Sequence, residues 1–294
     1  MHMMNNIAEN WQDGIRGEDI GDILINAGKL NQPDLQRIVA LQGKEEMLFG
    51  EAAVALGILT EEDVRWALGC QYSYPGVNVD ELPRELIAAH DPSDPRVETL
   101  RYIRSGLIFS GAAKMLKSLA VLSPEAGEGK TFVAANLALV FAQLGVNTLL
   151  VDLNFRQPRL HALFKMKNNT GASSLMIRRA LPEQALQRTA IQGLSVLPSG
   201  PKPPNPSELL SWQETRDLVA GLTLQHDLVI IDTPAFTKTA DAMMIASFCD
   251  GAILTALKGK SRLAPFGLMQ KQLETSQVRV LGSVLNEIKD GRSR

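Results

Sequence analysis

Apolar and polar positions near the start of the chain repeat with a fixed period. The segment from Ile20 (IGDILINAGKLNQPDLQRIVALQ) is similar to the segment from Phe49 (FGEAAVALGILTEEDVRWALGCQ). The matched residues lie 29 positions apart: Gly21, Gly28, Leu30, Asp34 and Gln42 match Gly50, Gly57, Leu59, Asp63 and Gln71. Each copy predicts a short helix ended by glycine, a turn and a longer helix, with Asn31 and Thr60 as N-caps. We therefore predict a small, mainly helical domain over 19–75, preceded by a flexible tail over 1–18.

The pattern changes after the repeat. Residues 76–95 contain several prolines and acids and predict a linker, with one short helix at 81–89. Over 96–294, apolar strands alternate with helices. The predicted strands are 119–122, 148–151, 228–231, 251–257 and 278–285, and one predicted helix is 131–144. This alternation predicts an α/β fold whose mostly parallel sheet is flanked by helices on both faces.

Composition and charge narrow the function classes. Hydrophobic residues make up 45% and charged residues 21% of the 294 residues, which is ordinary for a globular protein. A net charge of −2 gives no general reason to expect a nucleic-acid partner. The start of the chain lacks a basic segment followed by an apolar run, and no apolar stretch of about 18 residues occurs. We therefore expect a cytoplasmic protein that reaches a membrane only through a partner.

A glycine-rich loop, SPEAGEGKT, runs from Ser123 to Thr131 between a predicted strand and a predicted helix. A helix N-terminus presents free backbone N–H groups to phosphate oxygens, and glycines let those oxygens approach. Lys130 is expected to reach the β- and γ-phosphates of ATP, and the Thr131 hydroxyl is expected to bind Mg²⁺. The predicted nucleotide-binding residues are Gly127, Glu128, Gly129, Lys130, Thr131 and Phe132. The alternative is a glycine-rich turn that Lys and Thr follow by chance.

Two carboxylates end apolar strands. Asp152 ends the run LLVD, and Asp232 ends the run VIID. The carboxyl ends of parallel strands face the ligand crevice of such a sheet. Asp232 is expected to hold Mg²⁺ directly or through water, and Asp152 is expected to orient or deprotonate an attacking hydroxyl. Thr131, Asp152 and Asp232 are the predicted metal ligands, and Lys130, Asp152 and Asp232 are the predicted catalytic residues. A turn-forming aspartate is the alternative at each strand end.

Residues 96–294 resemble the bacterial tyrosine kinases of exopolysaccharide biosynthesis, which are relatives of the MinD and ParA ATPases. The matching motifs are the loop SPEAGEGKT, the run LLVDLNFRQPRLHALF from Leu149, LPSG from Leu197, PPNPSELL from Pro203 and GSVLN up to Asn286. The resemblance implies a P-loop NTPase fold of the SIMIBI, MinD-like class. It implies phosphoryl transfer from Mg²⁺-bound ATP to protein tyrosine or to water, in control of polymer length and export. It also implies that Asn286 contacts the base and that a separate inner-membrane chain-length determinant of the Wzz type is the partner.

Glu98, Arg101 and Arg104 match the Glu-x2-Arg-x2-Arg motif by which these kinases form rings. The match implies a homo-oligomeric ring, and the spacing places the three side chains on one helical face. A solvated helix with an internal ion pair is the alternative.

Two features depart from the family pattern. Asn154 stands where the family usually has aspartate, which weakens the expected metal site because an amide brings no charge. The chain's tyrosines are Tyr72, Tyr74 and Tyr102, whereas family members usually end in a tyrosine cluster. We therefore expect no self-regulation through a tyrosine tail.

The repeat of 19–75 resembles MshEN domains, which bind cyclic di-GMP. Asp19 and Leu48 stand where the arginines of that motif are expected, so we predict weak or no cyclic di-GMP binding and a structural or docking role. The combination of both domains resembles the exopolysaccharide chain-length-determinant tyrosine kinases of the EpsG type. Two alternative functions stay open: a ParA- or MinD-like partitioning ATPase, and a non-catalytic adaptor that binds ATP.

Overall fold

The computed structural model describes residues 19–45, 47–73, 82–110 and 116–287. The predicted tail at 1–18, Tyr74 and the first part of the predicted linker lie outside these residues. The chain forms two compact units that divide between Thr99 and Leu100. This division falls a few residues after the predicted start of the α/β domain at residue 96.

The first unit contains the two copies of the repeat. Its helices are α1 (Ile20–Asn26), α2 (Gln32–Glu45), α3 (Phe49–Ala55) and α4 (Glu61–Ser73). Gly28 and Gly57 follow the first helix of each copy with φ of 66° and 65°, a conformation that favours glycine. The N–H of Lys29 donates to the carbonyl of Leu24, which closes the end of α1. The predicted helix–glycine–helix unit is confirmed in both copies.

Side chains close the first turn of the second helix in each copy. Asn31 Oδ1 accepts the N–H of Asp34 at 2.8 Å, and Thr60 Oγ1 accepts the N–H of Asp63 at 3.1 Å. The Asp63 carboxylate accepts the N–H of Thr60 in return, at 3.1 Å, and pairs with Lys29 at 2.5 Å. Both predicted N-caps are confirmed, and each provides an acceptor for one N–H group of the first helical turn.

Part of the predicted linker is packed rather than exposed. Leu82 and Leu86 are buried, and the short helix α5 (Ile87–His90) buries three apolar residues. The Trp66 indole N–H donates to the carbonyl of His90 at 2.8 Å. The helix predicted at 81–89 begins only at Ile87 because the residues before it form a turn, closed by the bond from Leu86 N–H to the Pro83 carbonyl.

The second unit is built on a sheet of seven strands in the order β3-β4-β2-β5-β1-β6-β7. The strands are β1 (Ser118–Leu122), β2 (Thr148–Asp152), β3 (Gln187–Arg188), β4 (Leu194–Leu197), β5 (Leu228–Asp232), β6 (Gly251–Leu257) and β7 (Val280–Asn286). Among the described residues, β3 and β4 pair antiparallel, and the other strand pairs are parallel. The predicted mostly parallel sheet is confirmed, although β3 and β4 were not predicted.

Helices cover the sheet. They are α6 (Pro95–Ser110), which leads into the sheet, α7 (Lys130–Ala142), α8 (Leu160–Leu163), α9 (Ala172–Met176), α10 (Pro182–Ala185), α11 (Pro206–Ser211), α12 (Gln213–Gln225), α13 (Asp241–Ser247) and α14 (Leu263–Thr275), with a 3₁₀ helix at Phe236–Lys238. One core lies among β2, β5 and α12, and a second lies among β1, β6, α13 and α14. Among the described residues, no helix is long and apolar enough to cross a membrane.

The strand order positions the site. Every residue of β1, β2 and β5 is buried, and β5 lies between the other two. Asp152 and Asp232 are direct partners in the register of β2 and β5, and β1 ends beside them at Leu122. The loop after β1 therefore meets both strand-end carboxylates at one edge of the sheet.

Candidate nucleotide site and catalytic centre

The phosphate-binding loop has an open helix end. Gly127 and Gly129 have φ of 75° and 93°, and α7 begins at Lys130 with no side-chain cap on its N-terminus. A Cβ at Gly129 would collide with the side-chain amide of Asn286, so glycine is required there. Asn286, predicted to contact the base, therefore lies directly against the loop.

Lys130 is buried beneath the loop that it follows. Its Nζ donates to Ser123 Oγ at 2.8 Å and lies 3.4 Å from the carbonyl oxygen of Glu125. Burial lowers the pKa of the Lys130 ammonium, while the negative charges of Asp232 and Glu128 oppose that shift. The loop thus holds a desolvated cation, whose attraction for phosphate is stronger than it would be in water.

The Glu128 side chain stabilises the phosphate-binding loop through hydrogen bonds inside the protein. Its buried carboxylate accepts the N–H of Glu125 at 2.7 Å and the hydroxyl of Ser261. The side chain is therefore turned into the protein, and only its backbone N–H is left for the predicted phosphate contact. Lys260 braces the outside of the loop, since its Nζ lies 3.1 Å from the Ala126 carbonyl oxygen. Sequence reasoning missed Lys260 and Ser261.

Asp232 and Thr131 form the candidate metal site. Thr131 Oγ1 donates to Asp232 Oδ2 at 2.6 Å. Asp232 Oδ1 is buried and has no hydrogen-bond partner among the described residues. Burial raises the pKa of Asp232 to about 6, although the Thr131 hydrogen bond and the Lys130 charge oppose the rise. A buried carboxylate oxygen without a donor, next to a hydroxyl, fits Mg²⁺, which prefers oxygen ligands.

Asp152 lies opposite, and backbone donors hold it. Its Oδ1 accepts the N–H of Asn154 at 3.0 Å, and its Oδ2 accepts the N–H groups of Arg159 and Leu160 at 3.0 and 3.1 Å. Burial raises the pKa of Asp152 to about 7, and the charge of Asp232 adds to the rise. The three donors occupy most of a carboxylate's roughly four acceptor sites, which favours an orienting role over extensive metal ligation. Its role as a metal ligand stays a prediction.

A cavity of about 260 Å³ opens beside these residues. The predicted residues that line it are Gly127, Gly129, Lys130, Thr131 and Phe132, and Asn154 lines it as well. Sequence reasoning missed three further cations in its wall: Arg156, Arg159 and Lys238. A separate cavity of about 590 Å³ between the 3₁₀ helix and α14 contains none of the predicted site residues.

The residues predicted at a subunit interface lie on α6. Glu98 is exposed, whereas Arg101 and Arg104 are half-buried. Arg104 Nη1 donates to the carbonyl of Val140 at 2.6 Å. Val140 lies in the last turn of α7, where carbonyls lack helical donors, so Arg104 caps that helix within its own chain. This capping role was not predicted.

Comparison with known proteins agrees with this geometry. Residues 119–293 match the family model described as the CobQ/CobB/MinD/ParA nucleotide binding domain. The chain belongs to this family. The tyrosine-protein kinase YwqD of Bacillus subtilis is 36% identical over 205 residues, which cover 70% of this chain and 86% of YwqD. Within the family, the chain therefore belongs with the bacterial tyrosine-protein kinases.

Solved structures give the same assignment. The kinase domain of the Escherichia coli tyrosine kinase ETK aligns with a TM-score of 0.67 at 30% identity, over 71% of this chain and 82% of that one. The chimerical protein CapA2B2 aligns with a TM-score of 0.66 at 34% identity, over 69% of this chain and 89% of that one. The predicted MinD-like P-loop fold is confirmed. These kinase relatives favour the kinase interpretation over the partitioning ATPase.

Proposed function

We propose that this chain is an ATP-dependent protein-tyrosine kinase of exopolysaccharide synthesis. It transfers the γ-phosphoryl group of ATP to a tyrosine hydroxyl, or to water when no acceptor is bound. The observation that carries the proposal is the constellation at one sheet edge: buried Lys130, the bonded pair of Thr131 and Asp232, and Asp152 directly opposite.

Each residue has a defined task in this chemistry. Thr131 and Asp232 would hold Mg²⁺, which would supply positive charge to offset the negative charge of the phosphates. The uncapped N-terminus of α7 and Lys130 bind phosphate oxygens. Asp152 accepts the proton of the attacking hydroxyl. Burial raises the pKa of Asp152, which brings it closer to the operating pH, where a general base works best.

The rest of the chain fits a regulated kinase. We propose that residues 19–75 form an MshEN-like docking domain and that the chain is of the EpsG type. It acts in the cytoplasm at the inner membrane, on a separate Wzz-type chain-length determinant. Glu98, Arg101 and Arg104 form part of an interface between copies in a ring. Arg104 also caps α7 within its own chain, so its substitution changes more than that interface.

A non-catalytic adaptor is the second candidate. Asn154 lines the cavity where the family usually has aspartate, so the site carries one negative charge fewer for a metal. An adaptor would bind ATP and assemble without turnover. It would therefore form neither phosphotyrosine nor free phosphate, whereas a kinase would form these products.

The decisive experiment supplies the purified protein with γ-labelled ATP, Mg²⁺ and the cytoplasmic segment of the co-encoded membrane protein. We expect phosphotyrosine on that segment, together with free phosphate in its absence. Lys130→Met is the control and should yield neither product. Binding of ATP with no product above the Lys130→Met level would exclude the kinase and support the adaptor.

A further inference from the structure

Four cations line the cavity beside the phosphate-binding loop: Lys130, Arg156, Arg159 and Lys238. Their surroundings differ. Lys130 lies beneath the loop. Arg156 is held by other side chains, since its Nε pairs with Asp241 Oδ2 at 2.7 Å and its Nη2 donates to Ser207 Oγ at 2.9 Å. Asp241 is itself buried, so this contact holds Arg156 firmly.

Arg159 is anchored through its backbone and not through its side chain. Its N–H donates to Asp152 Oδ2 at 3.0 Å, immediately before α8 begins at Leu160. Its side chain is exposed, and within the part of the chain that the structure describes its guanidinium makes no hydrogen bond or ion pair. The Cα is therefore fixed next to the candidate general base, while the five N–H donors stay available to an anion.

The charge of Arg159 acts on the centre of the site. Burial raises the pKa of Asp232, and the positive charges of Lys130 and Arg159 both oppose that rise. The guanidinium therefore acts on Asp232, and the backbone N–H of Arg159 contacts Asp152. This is the region where a phosphoryl group must pass between ADP and an acceptor hydroxyl that Asp152 orients.

We propose that Arg159 is a catalytic residue whose guanidinium binds the γ-phosphoryl group during transfer and stabilises the charge on its oxygens. The inference rests on the proposed function. In the step, the bond from the γ-phosphorus to the bridging oxygen of ADP breaks and a bond to the tyrosine oxygen forms. The hydroxyl proton passes to Asp152, and ADP leaves. A planar guanidinium suits this role, since its fork of donors matches two phosphoryl oxygens.

A transition-state contact differs from ordinary binding in a measurable way. Aluminium fluoride with ADP and Mg²⁺ imitates the phosphoryl group in transfer, and such analogues bind at least about 100-fold more tightly than ground-state ligands. Arg159→Gln keeps the backbone bond to Asp152 and changes an exposed side chain, so the variant should fold. Arg179→Gln, an exposed arginine outside the cavity, is the matched control.

The test titrates ADP and Mg²⁺ by calorimetry, with and without aluminium fluoride, into wild type and variants. Arg159→Gln should keep its ADP affinity within about threefold and lose the extra affinity of the analogue, about 100-fold or more. Its kcat should fall about 1,000-fold with little change in KM. Arg179→Gln should behave as wild type.

Three results would overturn the proposal. Arg159→Gln could retain the gain from aluminium fluoride, or it could lose ADP and analogue affinity equally, which is the signature of uniform binding. Lys238→Gln could abolish the gain instead. In each case wild type still binds ATP, so the proposed function survives. Wild type that binds no ATP would refute both.

Discussion

The second helix of each repeat copy and the helix after the phosphate-binding loop begin in different ways. In the repeat, Asn31 and Thr60 cap their own helices, and Asp63 pairs with Lys29. In the α/β unit, α7 begins at Lys130, and its N-cap residue Gly129 provides no side-chain cap. A side chain therefore takes up a donor in the first turn of α2 and of α4, whereas the first turn of α7 has no side-chain cap and can bind a ligand.

The carboxylates of the two units differ in the same way. The hydrogen bond from Lys29 helps lower the pKa of Asp63 to about 2, so this half-buried carboxylate is charged and paired. Burial raises the pKa of Asp232 to about 6 and leaves its Oδ1 without a donor. A carboxylate whose oxygens are paired, such as Asp63, is typical of a structural contact. A buried carboxylate oxygen without a donor, such as that of Asp232, is typical of a ligand site.

The largest effect should come from Lys130→Met. The substitution removes a charge-assisted phosphate contact, worth at least roughly 1.5–3 kcal/mol of binding. We expect calorimetry to show that ATP affinity falls by more than about tenfold and product formation to stop. The fold should survive, because an apolar chain replaces a buried ammonium. Unchanged ATP affinity would mean that the loop is not the nucleotide site.

Asp232→Asn should make the metal-free protein more stable and should weaken Mg²⁺ binding. The pKa of Asp232 is above its ordinary 3.8 in the folded state, so folded protein holds this proton more firmly than unfolded protein. Its contribution to stability therefore declines as pH rises from about 4 to above 6. In metal-free protein the variant should gain roughly 1–3 kcal/mol of unfolding free energy at pH 8 and little at pH 4.

Denaturant unfolding at both pH values in EDTA measures this difference. The same variant should lose the Mg²⁺-dependent part of its ATP affinity. If Asp232→Asn is less stable than wild type at pH 8, the carboxylate of Asp232 is already paired within the protein and is not available to a cation.

Much of the fold and half of the site follow from local sequence signals. The 29-residue offset between Gly21 and Gly50 indicates the repeat, and apolar runs that end at Asp152 and Asp232 place both carboxylates. The bond from Ser261 to Glu128 joins residues 133 positions apart. Such a pair meets only after the sheet has ordered its strands, so no periodicity could reveal it. The same holds for Arg104 and Val140.

Arg101→Ala should shift an oligomer toward monomer without unfolding the α/β unit. Arg104→Ala should also destabilise that unit, because the carbonyl of Val140 loses its donor. Light scattering with size-exclusion chromatography measures mass, and thermal unfolding separates the two variants. If Arg101→Ala and wild type have equal mass, Arg101 is only a surface residue.

Thr60→Ala should cost about 1 kcal/mol in the repeat, because α4 loses its cap. ATP affinity should not change. Hydrogen exchange of α4 amides measures local stability, and Thr275→Ala, whose exposed hydroxyl bonds within α14, serves as the control. Equal exchange in α4 of wild type and Thr60→Ala would show that the cap contributes nothing.

The smallest effect should be that of cyclic di-GMP, for which we predict weak or no binding. Asp19 and Leu48 supply no positive charge at the start of α1 and α3, and neither side chain caps its helix. Calorimetric titration of the full chain tests this. A sub-micromolar affinity would show that backbone and apolar contacts suffice.

The central contrast is between α7, whose N-terminus has no side-chain cap, and the capped helices α2 and α4. Hydrogen–deuterium exchange with and without Mg²⁺-bound ATP tests it most directly. We predict strong protection of amides 125–132 on nucleotide binding. The amides of Asp34 and Asp63 should exchange at unchanged rates, since Asn31 and Thr60 already accept their hydrogen bonds. Protection of the repeat with no change in the loop would contradict the assignment of residues 123–131 as the nucleotide site.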